Sequence, residues 1–167
     1  YIINQKDATT RPVSGTAFTP GITAGVVTNI DFNPTVDRIR LVAKNGQNLR
    51  LHPETGAVAA TDGNISGITS PTVSAIGYTN SKAGASATIL YDIDESTAKL
   101  YKQDPPNNGT LVEVGALGIT PVGNIAFDIT SNNVALAIIN NALYDVNLNT
   151  GAASKIGNVT DAIIDIA

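Results

Sequence analysis

A few groups of side chains in this sequence have the types that chemistry requires. His52 is the only histidine. A lone imidazole makes no His-rich metal site, and it makes a triad only with a nucleophile and a carboxylate placed beside it. It precedes Pro53 and fills a position taken by Asn4 and Asn147 in related segments, so it reads as a polar turn residue. Asp92-Ile-Asp94-Glu95-Ser96-Thr97 offers oxygen ligands in the manner of a calcium loop, but no glycine before Lys99 supplies the tight turn such a loop needs. Strand alternation puts Asp92 and Asp94 on one face, where solvent can take both carboxylates. The densest polar group is Asp31, Asn33, Asp37, Arg38 and Arg40. A buried carboxylate pair with separated pKa values does acid–base work. Asp31-Phe32-Asn33-Pro34 nevertheless reads as a strand running into a turn, which leaves Asp37 to pair with Arg38, Arg40 and Arg50 across neighbouring strands. The glycines of Gly21 to Gly25 and Gly115 to Gly118 precede neither a Lys-Ser/Thr pair nor a helix, so they cradle no phosphate and mark chain crossings instead.

Composition narrows the field further. The chain has no cysteine, which removes disulfides, thiolate nucleophiles and Cys-ligated zinc together. Its net charge is −4 and its pI about 4.7. The one basic concentration, Arg38, Arg40, Lys44 and Arg50, gives no field suited to a phosphate backbone, so no nucleic-acid partner is expected. No apolar run approaches the roughly 18 residues that cross a bilayer. Tyr-Ile-Ile-Asn lacks the charged start and small-residue cleavage site of a signal peptide. No catalytic, cofactor-binding or metal-binding residue is predicted, and the chain does not read as an enzyme.

The elements that must position these residues are short strands. Hydrophobic residues make up 43% of the 167, yet only 5% are aromatic and 14% charged, so the apolar content is mainly Ile, Val, Leu and Ala broken by Gly, Asn, Thr and Asp. That mixture suits many short strands joined by tight turns, and the chain reads as all-β.

A repeat organises them. One element recurs as YIINQKDATTRPVSG from Tyr1, LRLHPETGAVAAT from Leu49, YKQDPPNNGTLVEVG from Tyr101 and YDVNLNTGAASKIG from Tyr144, with starts 48, 52 and 43 residues apart. A second is VVTNIDF, VSAIGY, VGNIAF and DAIIDI, ending at Phe32, Tyr78, Phe127 and Ile166. A third, DRIRLVA, SATILYDID and NVALAII, lies between them. Each unit is therefore strand, strand, strand-turn-strand over about 40–50 residues, the period of a four-stranded β-propeller blade. Asn45-Gly46 and Asn140-Asn141 fall at tight hairpin turns of the kind in which both central residues take positive φ. Thr55-Gly56, Asn108-Gly109 and Thr150-Gly151 mark the next turn, with Pro53, Pro105 and Pro106 where a missing donor does no harm.

One β-propeller-like domain over 1–167 follows, built of repeated four-stranded antiparallel blades at 26–61, 73–116 and 122–158, with partial blades at 1–18 and 161–167. Three arrangements satisfy the two incomplete ends: a piece of a longer domain, a ring in which residues 162–167 pair with the opening strands, or pairing with another chain. The apolar edge residues Tyr1, Ile2, Ile3, Ile163, Ile164 and Ile166 are the candidates for such pairing. Asn29, Asp31, Asn124 and Asp165 on the innermost strands are the possible inward donors of a ring axis.

The stretches DFNPTVDRIRLVAKNGQNLRLHPETGAV, from Asp31, and GYTNSKAGASATILYDIDESTAKLYKQDPPNNGTLVEVGALGI, from Gly77, together with LYDVNLNTGAASKIG, resemble a family of bacterial domains of unknown function. That family is found in secreted or cell-surface proteins and is propeller-like, and its members extend further upstream. The resemblance implies fold and an extracellular or cell-surface location, and it supplies no catalytic residues. Low Lys content and the sequons at Asn64, Asn108 and Asn158 lean the same way. The expected function is an extracellular structural or adhesive module that joins copies of itself, as a homo-oligomer or filament, through edge strands. A glycan- or peptide-binding propeller is the alternative, followed by a propeller hydrolase.

Overall fold

The structure is a computed structural model, and it describes every residue except Gln5, Ala162, Ile164 and Ala167. Two strands open the chain, β1 (Ile2–Ile3) and β2 (Thr10–Arg11). The first blade holds β3 (Thr28–Asn33), β4 (Arg38–Ala43), β5 (Asn48–Leu51) and β6 (Val58–Thr61). The second holds β7 (Val73–Tyr78), β8 (Leu90–Asp94), β9 (Lys99–Gln103) and β10 (Leu111–Ala116). The third holds β11 (Ala126–Ile129), β12 (Ala135–Ile139), β13 (Ala142–Val146) and β14 (Ala153–Asn158). A 3₁₀ turn at Pro106–Asn108 is the only helical element among the described residues.

Each blade is a meander in which consecutive strands pair antiparallel. In each one the third and fourth strands slip by a residue, at Arg50/Leu51, Glu113/Gly115 and Leu143/Tyr144. Such a bulge adds right-handed twist at the outer edge of a sheet. The three four-stranded sheets span residues 28–61, 73–116 and 126–158.

The local chemistry of the turns explains the repeat. Asn4 and Asn147 accept the backbone N–H two residues on, from Lys6 at 3.0 Å and Asn149 at 2.9 Å. His52 Nδ1 accepts from Glu54 N–H at 3.2 Å in the same way. All three turns close with the same backbone pair, for example Gly56 N–H to His52 O and Gly151 N–H to Asn147 O. The opening hairpin is therefore the third-and-fourth-strand unit of a partial blade. Asn140 and Asn141 both sit at positive φ, 53° and 60°, as a two-residue primed turn demands. Asn45-Gly46 differs: only Gly46 is left-handed, at φ 89°, and Gly46 N–H donates to Ala43 O while Ala43 N–H donates to Gln47 O. The loop is one residue longer, and its glycine takes the bulge position.

The core lies between blades. Val42, Ile76, Tyr78 and Leu90 fill the joint of the first two, and Tyr91, Ile93, Phe127 and Ile129 that of the second and third. Burying a side chain of this size contributes about 1.5–3 kcal/mol. On the far face of the first blade, Leu41, Leu49 and Leu51 are covered only by the chain's own leading segment through Phe18, Ile22 and Val26.

The sheets do not close into a ring. β1 pairs only with β2, and the described residues Ile163 and Ile166 lie in no strand, so the expected terminal strand over 161–167 is not formed there. Ile164 lies outside the described residues. Among the described residues no helix is long and apolar enough to cross a membrane.

Candidate functional site

The first strands β3, β7 and β11 stand side by side and carry the innermost polar residues. Asp31 points from β3 toward β7. Its Oδ2 accepts the Tyr78 N–H and its Oδ1 the Phe32 N–H, both at 2.6 Å. Burial nevertheless pushes this carboxyl up to about 6, against the pull of those two N–H groups and with some help from the charges of Asp128 and Asp165. Asp128, on β11, is raised by its own burial and by Asp165. The three aspartates thus share one region at the inner ends of the blades.

Beside them a cleft of about 320 Å³ is lined by Asn29, Asn124 and Asp165 with Lys44, Ser74 and Glu95. Lys44 and Glu95 form an ion pair there, and Ser74 donates its hydroxyl to Glu95 at 2.7 Å. The four inward donors expected from the sequence are therefore brought to one end of the molecule, joined by Asp128, which alternation in IAFDIT gave no reason to single out. A carboxyl that titrates near 6 exchanges a proton at ordinary pH. Among the described residues no group of three or more His, Asp or Glu side chains has the geometry to hold a metal ion.

The other sequence candidates find structural roles. Arg40 is 2% exposed and ties the first two blades together. Its Nε donates to Tyr78 Oη at 3.2 Å, Nη1 to Asn48 at 2.9 Å and to Asp62 at 2.6 Å, and Nη2 to Asn107 at 2.8 Å. Arg50 grips the same Asp62 through two N–H groups at 2.8 Å. The acid that pairs with these arginines is thus Asp62 and not Asp37: the Arg40 side chain turns into the joint, whereas Asp37 lies exposed in the β3–β4 turn. Asn33 caps that turn, accepting the Thr35 N–H and hydroxyl. Asp92 and Asp94 are both fully buried and not solvated. Asp94 Oδ1 accepts from Ser96 Oγ and from the Thr97 N–H and hydroxyl, and its Oδ2 from the Thr72 N–H, so its lone pairs are spent on the turn. Gly115 is not in a crossing but within β10, pressed against the turn at Thr150-Gly151. A second cleft, of about 380 Å³, lies between Phe32–Asp37 and the β7–β8 loop at Ser81–Gly84.

Three consecutive antiparallel four-stranded blades, joined face to face and left open, define an incomplete β-propeller-like protein. The chain belongs to the family described as domain of unknown function, DUF4394, whose model matches residues 1–167. Among solved structures, the crystal structure of BBS1N in complex with ARL6DN, soaked with lead, is similar over 77% of this chain at 19% identity and a TM-score of 0.43, and the match spans 36% of that chain. None of the curated proteins compared with the chain matches it.

Proposed function

We propose that the chain is a non-catalytic structural or adhesive module, extracellular or at a cell surface, that assembles with copies of itself. One observation carries this reading. The motif Ile-x-aromatic recurs at the first strand of every blade, as Ile76 and Tyr78 on β7, and as Ile125 just before β11 with Phe127 on it. These four residues are at most 5% exposed, packed against the preceding blade. The same pair in the first blade, Ile30 and Phe32, is 54% and 56% exposed. Large apolar side chains in register on an open sheet face favour a partner surface. A surface for it is offered on the same chain, where the register turns the partly exposed Leu136 and Leu143 of the third blade away from the second. A copy that docks its third blade on the first blade of its neighbour repeats the internal joint. Such a head-to-tail contact either closes into a ring or runs on as a filament. The exposed Tyr1, Ile3 and Ile163 are further apolar surface available to the same assembly. The low Lys content and the family resemblance support the extracellular placement.

Electron microscopy of the concentrated chain tests the reading: closed rings or fibres of repeated units are expected. Particles of single-chain size at every concentration contradict it.

A further inference from the structure

Among the described residues, Asp92 is the one buried acid whose carboxyl oxygens have nothing to bond. It is 0% exposed, and neither carboxyl oxygen has a hydrogen-bond partner. A third buried acceptor, Gln103 Oε1, is equally without a donor, its amide nitrogen being spent on Pro106 O. The register places the two side chains together. Asp92 lies opposite Tyr101 on the paired strands β8 and β9, and Gln103 is two residues along β9 from Tyr101, so both project from one face as diagonal neighbours within reach of long side chains. That face packs against the first blade, in the apolar cluster of Val42, Ile76 and Tyr101.

The groups facing Asp92 do not supply the missing donor. Arg40, from β4, is close enough to favour the charged form, but four of its five N–H groups are committed to Tyr78, Asn48, Asp62 and Asn107. Asp94, from the same strand, opposes ionisation. Tyr78 Oη, from β7, accepts from Arg40 and makes no hydrogen bond to either Asp92 oxygen, and Tyr101 Oη, from β9, donates to Thr97. Three orphaned acceptors in a dry joint represent a penalty of a kind that native folds avoid. One hydrogen, carried on one Asp92 oxygen and shared with Gln103 Oε1, relieves two of the three.

We infer that Asp92 is a proton-binding site: the fold holds its carboxyl in the acid form, with the hydroxyl donated to Gln103 Oε1, and this bond helps to lock the second blade to the first. Desolvation drives the preference in the same direction, lifting this group well above the ordinary aspartate value. Release of the proton to solvent leaves a buried carboxylate that Arg40 offsets only in part, so rising pH loosens the joint.

The test is the ¹³Cγ shift of Asp92 in the labelled full chain, assigned with Asp92→Asn. A carboxylic-acid shift is expected for Asp92 at neutral pH. A carboxylate shift for Asp92 at neutral pH overturns the inference. Gln103→Leu removes the acceptor and is expected to lower the pH at which Asp92 ionises, and an unchanged titration overturns the pairing. In denaturant melts, the folding constant of the wild type relative to Asp92→Asn is expected to fall about tenfold per pH unit above 3.8 until Asp92 ionises in the fold. Parallel curves overturn it as well.

Discussion

Replacing Asp31 with asparagine is expected to reverse its effect on stability between acid and neutral pH. The carboxyl moves from 3.8 to about 6 on folding, and at 1.36 kcal/mol per pH unit that shift amounts to about 3 kcal/mol. The sign follows from which form the fold prefers. A raised pKa means that the native state binds the proton more tightly, so the contribution is complete below 3.8 and is lost as pH rises through about 6. At neutral pH the wild type therefore carries the full penalty of a half-desolvated charge next to Asp128 and Asp165. Asparagine removes that charge but keeps only one acceptor for the two N–H groups of Tyr78 and Phe32, a loss of about 1 kcal/mol. The variant is thus about 2 kcal/mol more stable than the wild type near neutral pH and about 1 kcal/mol less stable in acid. Urea denaturation of both chains at the two pH values measures the difference directly, and other titrating groups common to both largely cancel. A variant less stable by a similar amount at both pH values refutes the reasoning, because it means that the two N–H bonds hold Asp31 as an ordinary carboxylate.

Two further substitutions probe the joints. In Gly115→Ala the new Cβ lies 2.2 Å from the Thr150 carbonyl oxygen. The third blade's outer turn must then move back, and a thermal melt is expected to register a loss of about 1–3 kcal/mol. Arg40→Ala leaves Asp62 with Arg50 but strands the buried Asn48 side-chain oxygen and cuts the tie to the exposed Asn107, and a loss of about 3–5 kcal/mol in a chemical denaturation curve is expected. A change under about 0.5 kcal/mol, the range of ordinary surface substitutions, contradicts either assignment.

Much of the fold was legible because the blade repeats its chemistry in sequence. Leu49, Tyr101 and Tyr144 occupy one slot and are all buried, and Asn4, His52 and Asn147 occupy another and make the same turn bond. What stayed hidden depends on which neighbour a face meets. Tyr1 and Phe32 belong to the repeat as fully as Tyr101 and Tyr78, yet both are exposed because no blade among the described residues packs on them. Asp62 follows β6 in an irregular linker, where no periodicity points to a partner, so Asp37, nearer in sequence, looked the better match for the arginines. Asp92 and Asp94 resembled a solvated acidic run, although LYDID carries apolar residues on both faces, the pattern of a strand buried on both sides. That pattern was the signal that one of those acids would need a proton and the other a set of donors.

Sedimentation equilibrium of the wild type and Phe32→Glu over a wide concentration range tests the central claim most directly. If the open face of the first blade receives a second copy, the wild type associates as concentration rises. A charge in place of one buried aromatic, about 3 kcal/mol of contact, weakens that association at least a hundredfold with little change in melting temperature. Wild type and variant that remain monomeric alike, or that associate equally, contradict it.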